Sequence, residues 1–174
     1  MANCPIPDNI NPLSPTGFRL DIEKLPTVSY FCQEATIPDV SISSIAMPTP
    51  LSSIQIPDTI INYGDLVVNF LVDEDMDNYT ALYNWIKGLG FPTDHSEYTT
   101  FINSNQQPGK LELSKNYSDG TLHILSSSNN VVRSLKFVDL FPISVASLQF
   151  GSNLTDVQYL QGNAIFRYTY YEFI

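Results

Sequence analysis

Nine of the 12 prolines in this 174-residue chain fall within its first 57 positions. Proline lacks an amide hydrogen and its ring collides with the preceding helical turn, so it ends helices and is kept out of central strands. The first third of the chain is therefore restricted to turns, extended segments and short or edge strands. Residues 1–16 carry Pro5, Pro7, Pro12 and Pro15 with no periodicity and read as an extended N-terminal arm. From Gly17 the pattern changes: Phe18, Leu20 and Ile22 alternate with Arg19, Asp21 and Glu23, the period of a half-buried strand. Pro26 and Thr27 predict a turn, and Tyr30 to Ile37 a second strand stopped by Pro38. Residues 39–63 place Pro48, Pro50 and Pro57 between short apolar pieces. A connection this long is uncommon in a compact domain and usually functional. Its Val40, Ile42, Ile45, Leu51, Ile54, Ile56, Ile60 and Ile61 need cover, either from their own domain or from a neighbouring subunit.

Beyond this segment the pattern is clearer. Leu66 to Val72 is nearly continuous in apolar residues, a buried strand. A helix follows, capped by Asp73 or Asp75, with Glu74, Asp75 and Asp77 placing negative charge at its positive end. Met76, Tyr79, Leu82, Tyr83, Ile86 and Leu89 share one face at helical spacing, and Gly88 or Gly90 ends the helix with Pro92 beyond. Residues 92–120 are polar and weakly patterned, a variable surface loop with room for one short strand near Leu111 and Leu113. Thr121–Leu125 and Val131–Leu140 form a hairpin around Ser126–Asn130, and Pro142 begins a turn reaching Ser147. The last strand spans 163–173, with Phe166, Tyr168 and Tyr170 on one face and Ile165, Thr169, Tyr171 and Phe173 on the other. The expected fold is mainly β with one flanking α-helix, an antiparallel barrel or sandwich in a single domain over residues 17–174.

Charge narrows the function. Eight Lys and Arg stand against 18 Asp and Glu, a formal net charge of −10. Such a chain lacks the clustered cations needed to grip phosphate backbones or anionic lipid surfaces. Only 15% of residues are charged while 12% are aromatic, a balance that suits a surface partly covered by partners. Cys4 and Cys32 are too few for a disulfide framework and read as reduced. The N-terminus has neither the basic region nor the apolar run of a signal peptide, and no stretch approaches the roughly 20 apolar residues of a membrane helix. The reading is therefore a protein made in a cytoplasm and not inserted in a membrane. The sequons at Asn78, Asn116 and Asn153 read as accidental.

Chemistry is scarce. Asp73, Asp75 and Asp77 match the first ligand positions of a calcium-binding EF-hand loop, but Asn78 and Asn84 replace the required Gly and Glu. His95 and His123 are the only histidines, and no G-x-S-x-G elbow accompanies either. Two histidines and two distant cysteines are a weak zinc set. Gly88-Leu89-Gly90 lacks the third glycine and preceding strand of a phosphate loop. Trp85 and the tyrosines read as core and interface residues. No catalytic, metal or cofactor site is expected, and no cofactor; the chain reads as a non-enzymatic β domain that assembles.

Four blocks, in order, resemble the tail tube protein family of contractile-tailed, T4-like bacteriophages. They are Ser14-Pro15-Thr16-Gly17-Phe18-Arg19-Leu20-Asp21-Ile22; Tyr30-Phe31-Cys32-Gln33-Glu34-Ala35-Thr36-Ile37-Pro38; Gly64 to Asp75 running into the helix through Trp85; and Leu140 to Leu148 followed by the closing Tyr170-Tyr171-Glu172-Phe173. The resemblance spans roughly residues 14–174, with 92–120 matching poorly. It implies a tube-like β domain whose copies form stacked hexameric rings, the DNA conduit inside a contractile tail. Implied partners are further copies of the chain, the tail sheath protein, and baseplate or tube-initiator proteins, with DNA passing through the lumen without specific binding. The location would be the virion tail. Residues 39–63 would be the long loop contacting adjacent subunits or rings, through Ile42, Ile45, Leu51, Ile54 and Ile56. Head-to-tail stacking of identical rings propagates, and an acidic wall lets DNA slide rather than stick. Asp21, Glu23 and Glu34, on the first two strands, are the candidate lumen-facing acids. The exposed side of the helix, at Asn78 and Lys87, and the 92–120 loop are the candidate sheath contact. The arm leaves open the repeated tube subunit and a baseplate initiator of the same fold. From another class, a β-sandwich carbohydrate-binding or adhesion module also fits the aromatics and low charge.

Overall fold

The computed structural model describes residues 11–92, 94–104, 116–152 and 158–174. Cys4, Asn153, the possible strand near Leu111 and Leu113, and residues 1–10 of the arm lie outside the described residues. Residues 11–16 of the arm are exposed.

Nine strands and three helices occur among the described residues: β1 (Phe18–Ile22), α1 (Pro26–Tyr30), β2 (Cys32–Ala35), β3 (Val40–Pro48), β4 (Ser53–Tyr63), β5 (Leu66–Leu71), α2 (Asp77–Gly90), α3 (His95–Ser104), β6 (Ser118–Leu125), β7 (Val131–Val145), β8 (Gln161–Arg167) and β9 (Tyr170–Phe173). Seven strands make one antiparallel sheet in the order β1-β6-β7-β8-β5-β2, with β9 on β7; β3 and β4 pair separately. The long β7 is the corner. Its first part pairs with β6 and β9, its last part with β8, so the sheet folds over on itself as β1-β6-β7-β9 and β7-β8-β5-β2. Asp139, at φ 57°, sits where β7 changes partners, the local irregularity by which strands switch sheets.

Strict alternation drives the closure. β5 buries Leu66, Val68 and Phe70, and β8 buries Ala164 and Phe166. β1 contributes Leu20 and Ile22, β6 Leu122, and β7 Leu135, Phe137 and Leu140. Val28 of α1 and Leu82 and Trp85 of α2 complete this core.

The antiparallel β architecture with a flanking helix is as the sequence indicates, but several elements differ. The turn at Pro26 is the start of a helix, and the second strand is the short Cys32–Ala35 rather than Tyr30–Ile37. Proline at the first helical position has no amide to lose and a pre-set φ. Residues 39–63 are a β-hairpin rather than a loop. Part of the 92–120 segment is α3. Gly90 ends α2, as expected, with Phe91 in the left-handed conformation just beyond it. Gly88 lies inside the helix, where a Cβ would sit 2.6 Å from the Phe101 ring of α3. The buried face of α2 is Asn78, Leu82, Trp85 and Gly88, while Tyr83 is exposed. Two polar groups enter that face because each finds a partner. Asn78 Nδ2 donates to the Leu71 carbonyl at 2.7 Å, and Trp85 Nε1 to the Asn116 carbonyl at 3.1 Å. The N-cap is Met76, although the Asp73 carboxylate does accept the Asn78 amide at 3.3 Å. Pro142 does not turn the chain; β7 runs through it to Val145. Finally, 163–173 is two strands, broken at Tyr168-Thr169.

Gly162 faces Phe70 across the β5–β8 pair, and a Cβ there would lie 2.6 Å from the ring. Phe70 is fully buried and has nowhere to retreat. Gly162→Ala is expected to lower stability by about 1–3 kcal/mol by overpacking, read from urea denaturation, with Phe70→Leu in the same chain restoring part of the loss.

Candidate functional site

The β3–β4 hairpin stands off the body. Among the described elements, each of its strands packs substantially only on the other. Val40, Ile42, Ile45, Met47, Leu51, Ile54, Ile56, Ile60 and Ile61 are all exposed, Leu51 at 99%. Cross-strand register pairs Ile42 with Ile61, Ile45 with Ile56, and Met47 with Ile54. A bulge between Ile42 and Ser44 separates an inner apolar patch from an outer one. Pro48 sits at the tip, facing Ser53, and Pro57 beside the bulge. These are positions where a missing amide does not interrupt a ladder. The five residues expected to meet a neighbour (Ile42, Ile45, Leu51, Ile54 and Ile56) are therefore together on one projecting element, and their own domain does not cover them. An isolated two-stranded sheet is marginal in water, and a contiguous apolar surface of this kind marks an interaction site.

The body offers two open sheet faces of different character. On β2, β5 and β8 a row of side chains is hydrogen-bonded across the strands. Asn163 Nδ2 donates to Asn69 Oδ1 at 2.6 Å, and Asn69 Nδ2 donates to the Glu34 carboxylate at 2.7 Å. Gln161 Nε2 donates to Gln33 Oε1 at 3.2 Å nearby. The face of β1, β6 and β7 is ionic instead. Asp21 pairs with Arg19 at 3.0 Å and Lys136 with Asp119 at 3.6 Å. His123 Nδ1 lies 2.8 Å from Ser134 Oγ, and its Nε2 3.5 Å from Asp21. These three residue types also make up a nucleophilic triad. Here they occupy neighbouring registers on an open face, and the Asp21 carboxylate is already engaged by Arg19, so the arrangement ties strands together. The three candidate lumen acids do not converge. Asp21 lies on one face, Glu34 on the other, and Glu23 beyond the end of β1. Sequence reasoning passed over Asn69 and Asn163, although an amide inside an otherwise apolar strand is the signal that could have found them.

A family model described as phage tail tube protein matches residues 9–174. The chain belongs to the phage tail tube protein family. The four-block resemblance in the sequence is thereby borne out. The tail tube terminator protein of Enterobacteria phage T4 is 27% identical over 169 residues, covering 93% of this chain and 89% of that protein. Among solved structures, the anti-feeding prophage tube-terminating cap superposes with a TM-score of 0.61 at 14% identity, over 100% of this chain and 99% of that one. The sheath/tube terminator of an extracellular contractile injection system gives 0.55 at 16% identity, over 100% and 99%. At those identities the two structures establish the fold.

Other expected positions in this tube-family chain are placed as follows. Asn78, a candidate sheath contact, is fully buried, so it cannot touch a partner. Lys87 is held by Glu97 of α3 at 2.7 Å, and this contact raises its pKa. His95 packs edge-on against Phe91 and tilted against Tyr98. Among the described residues no cluster of His, Cys, Asp and Glu could hold a metal ion.

Cys32 is half-buried beside β5, and its thiol donates to the Glu34 carbonyl at 3.6 Å. Burial raises its pKa from 9.0 to about 11, with the carbonyl contact opposing. A raised folded pKa favours the protonated state. The stability this contributes is complete below pH 9 and lost as pH rises towards 11. In a Cys4→Ser chain, iodoacetamide alkylation of folded Cys32 is expected to be slow at pH 8.5 and to accelerate with a midpoint near pH 11; in urea the midpoint returns to about 9.

Proposed function

We propose that this chain is a structural subunit of the tail tube of a contractile particle, and that its copies form the hexameric ring that ends the tube. The projecting apolar hairpin carries this reading, because it is a surface that only another chain can cover. The terminator role is supported by a relative of that name that aligns over 93% of the chain and by a tube-terminating cap matched over its full length. The work is mechanical and needs no catalytic group. Its partners are neighbouring copies, the tube ring beneath and the sheath around it, in the virion tail. The repeated tube subunit is the second reading, favoured by the family model itself.

Electron microscopy with mass in solution separates the two. Isolated six-fold rings of fixed height support a terminator, tubes of unlimited length support the repeated subunit, and a chain monomeric at every concentration contradicts both. Replacing a cross-strand pair by a complementary charged pair, Ile45→Glu with Ile56→Lys, keeps the hairpin paired but breaks its apolar surface with two charges. Assembly is expected to fall at least tenfold, with the melting transition of the body unchanged within about 0.5 kcal/mol.

The two sheet faces differ in what they offer a polyanion. The ionic face presents Arg19 and Lys136, whereas the amide row on β2, β5 and β8 presents neutral groups and Glu34, with Arg167 at the end of β8 held by Asp65 at 2.7 Å. Phosphates bind cations, so a bore through which DNA slides is better lined by the second face. Glu34 thus remains a lumen candidate, and Asp21 and Glu23 do not share its face. Asn163→Lys is expected to make assembled rings retain duplex DNA at low salt and release it as salt rises, while Thr121→Lys, on the ionic face, does not. Equal retention by the two variants would remove this assignment.

A further inference from the structure

The hairpin has little packing of its own on the body, yet both of its stems are gripped at the root. Tyr168 donates its hydroxyl to the Gly64 carbonyl at 2.9 Å, just past the end of β4. Tyr171 donates to the Pro38 carbonyl at 3.3 Å, just before the start of β3. Tyr63, the last residue of β4, packs its ring on both, with centroids 6.1 Å from Tyr168 and 5.5 Å from Tyr171. Buried Phe137 backs the pair from β7, at 5.0 and 5.7 Å. The two stems also meet directly, Gly64 N donating to the Asp39 carbonyl at 2.9 Å. A Cβ on Gly64 would run into the Asp39 carboxylate, so the stems approach as closely as a glycine allows.

This grip depends on the break between β8 and β9. In an unbroken strand, residues three apart point to opposite faces. The break at Tyr168-Thr169 faces the irregularity at Asp139 of β7, where Thr169 N donates to the Val138 carbonyl and Thr169 Oγ1 to the Asp139 carboxylate at 3.2 Å. It turns both tyrosines towards one cluster. One hydroxyl holds each stem. A single contact would leave the hairpin free to swing about it; two contacts on separate strands fix both tilt and twist.

We propose that Tyr168 and Tyr171 are positioning residues for assembly: they set the angle at which the hairpin is presented to the neighbouring copy. Burial, together with nearby Tyr171 and Asp39, holds the Tyr168 hydroxyl above the usual phenol range, so it remains a donor at any physiological pH. This inference rests on the reading of the hairpin as the assembly element, and the test separates the two.

The test uses the Tyr168→Phe, Tyr171→Phe double variant, which keeps both rings and deletes only the two hydroxyls. Spin labels at Leu51→Cys on the exposed tip and Arg133→Cys on β7, in a Cys4→Ser, Cys32→Ala chain, report the hairpin pose as a distance distribution. The unclasped chain is expected to show a distribution at least twice as broad and ring assembly slowed about tenfold, while Tyr170→Phe, on the neighbouring exposed tyrosine, changes neither. An equally narrow distribution in the double variant would overturn the clasp whatever the assembly rate. A broadened distribution with unchanged assembly would overturn the positioning role. The hairpin's part in docking stands or falls separately, on the Ile45→Glu, Ile56→Lys chain.

Discussion

A two-stranded sheet carrying nine exposed large apolar side chains cannot be the end state of a protein in water. Each such side chain gains roughly 1.5–3 kcal/mol when fully covered, and a hairpin has no third strand or facing layer with which to cover them. The body does not fold back to help, because its own core is already closed by Phe70, Phe137 and Phe166. The chain therefore folds to a domain with an unfinished part. The rest of the structure follows from presenting that part: a rigid two-sided sheet to mount it, a corner strand to bend the mount, and tyrosines at its root.

The same economy governs the faces. Few charges are available, and they are unevenly divided. Arg19, Asp21, Asp119, Lys136 and His123 share one face, while the other carries the amide row with Glu34 beside it and the Arg167–Asp65 pair at its edge. An amide row whose members satisfy one another has little left to offer a passing phosphate, whereas an ionic face invites protein contacts with fixed polarity. Family membership establishes the architecture; the division of surface supports the proposal that the two faces of one subunit meet different partners.

Strands with a strong apolar pattern were legible in the sequence: β1 from its alternation, β5 from its nearly continuous apolar run and β6 within the hairpin lie close to where the pattern puts them, and α2 spans its periodic run. The failures share a cause, which is that tertiary context overrode a local signal. Pro26 marks a turn in isolation but starts a helix when Val28 has a core to enter. Pro142 reads as a break, yet it is tolerated because β7 has by then left β6 and become an edge with a bulge. The face of α2 was misjudged because Asn78 and Trp85 are buried by hydrogen bonds to Leu71 and Asn116, partners that hydropathy does not register. The apolar residues of 39–63 were recognisable as needing cover, but their pairing was hidden by three prolines and a bulge. Glu34 was found from its charge. The amides Asn69 and Asn163 that give it a setting were not, since neutral polar residues in a strand look like ordinary exposed positions.

The central claim is that the hairpin is uncovered in the single chain and covered on assembly. Amide hydrogen exchange followed through Val40–Tyr63, in dilute monomer and in purified rings, tests it most directly. The account predicts fast exchange across β3 and β4 in the monomer and protection at least a hundredfold higher in the ring, with β5 and β8 protected in both. Rings that form while the hairpin exchanges as fast as in the monomer would contradict it.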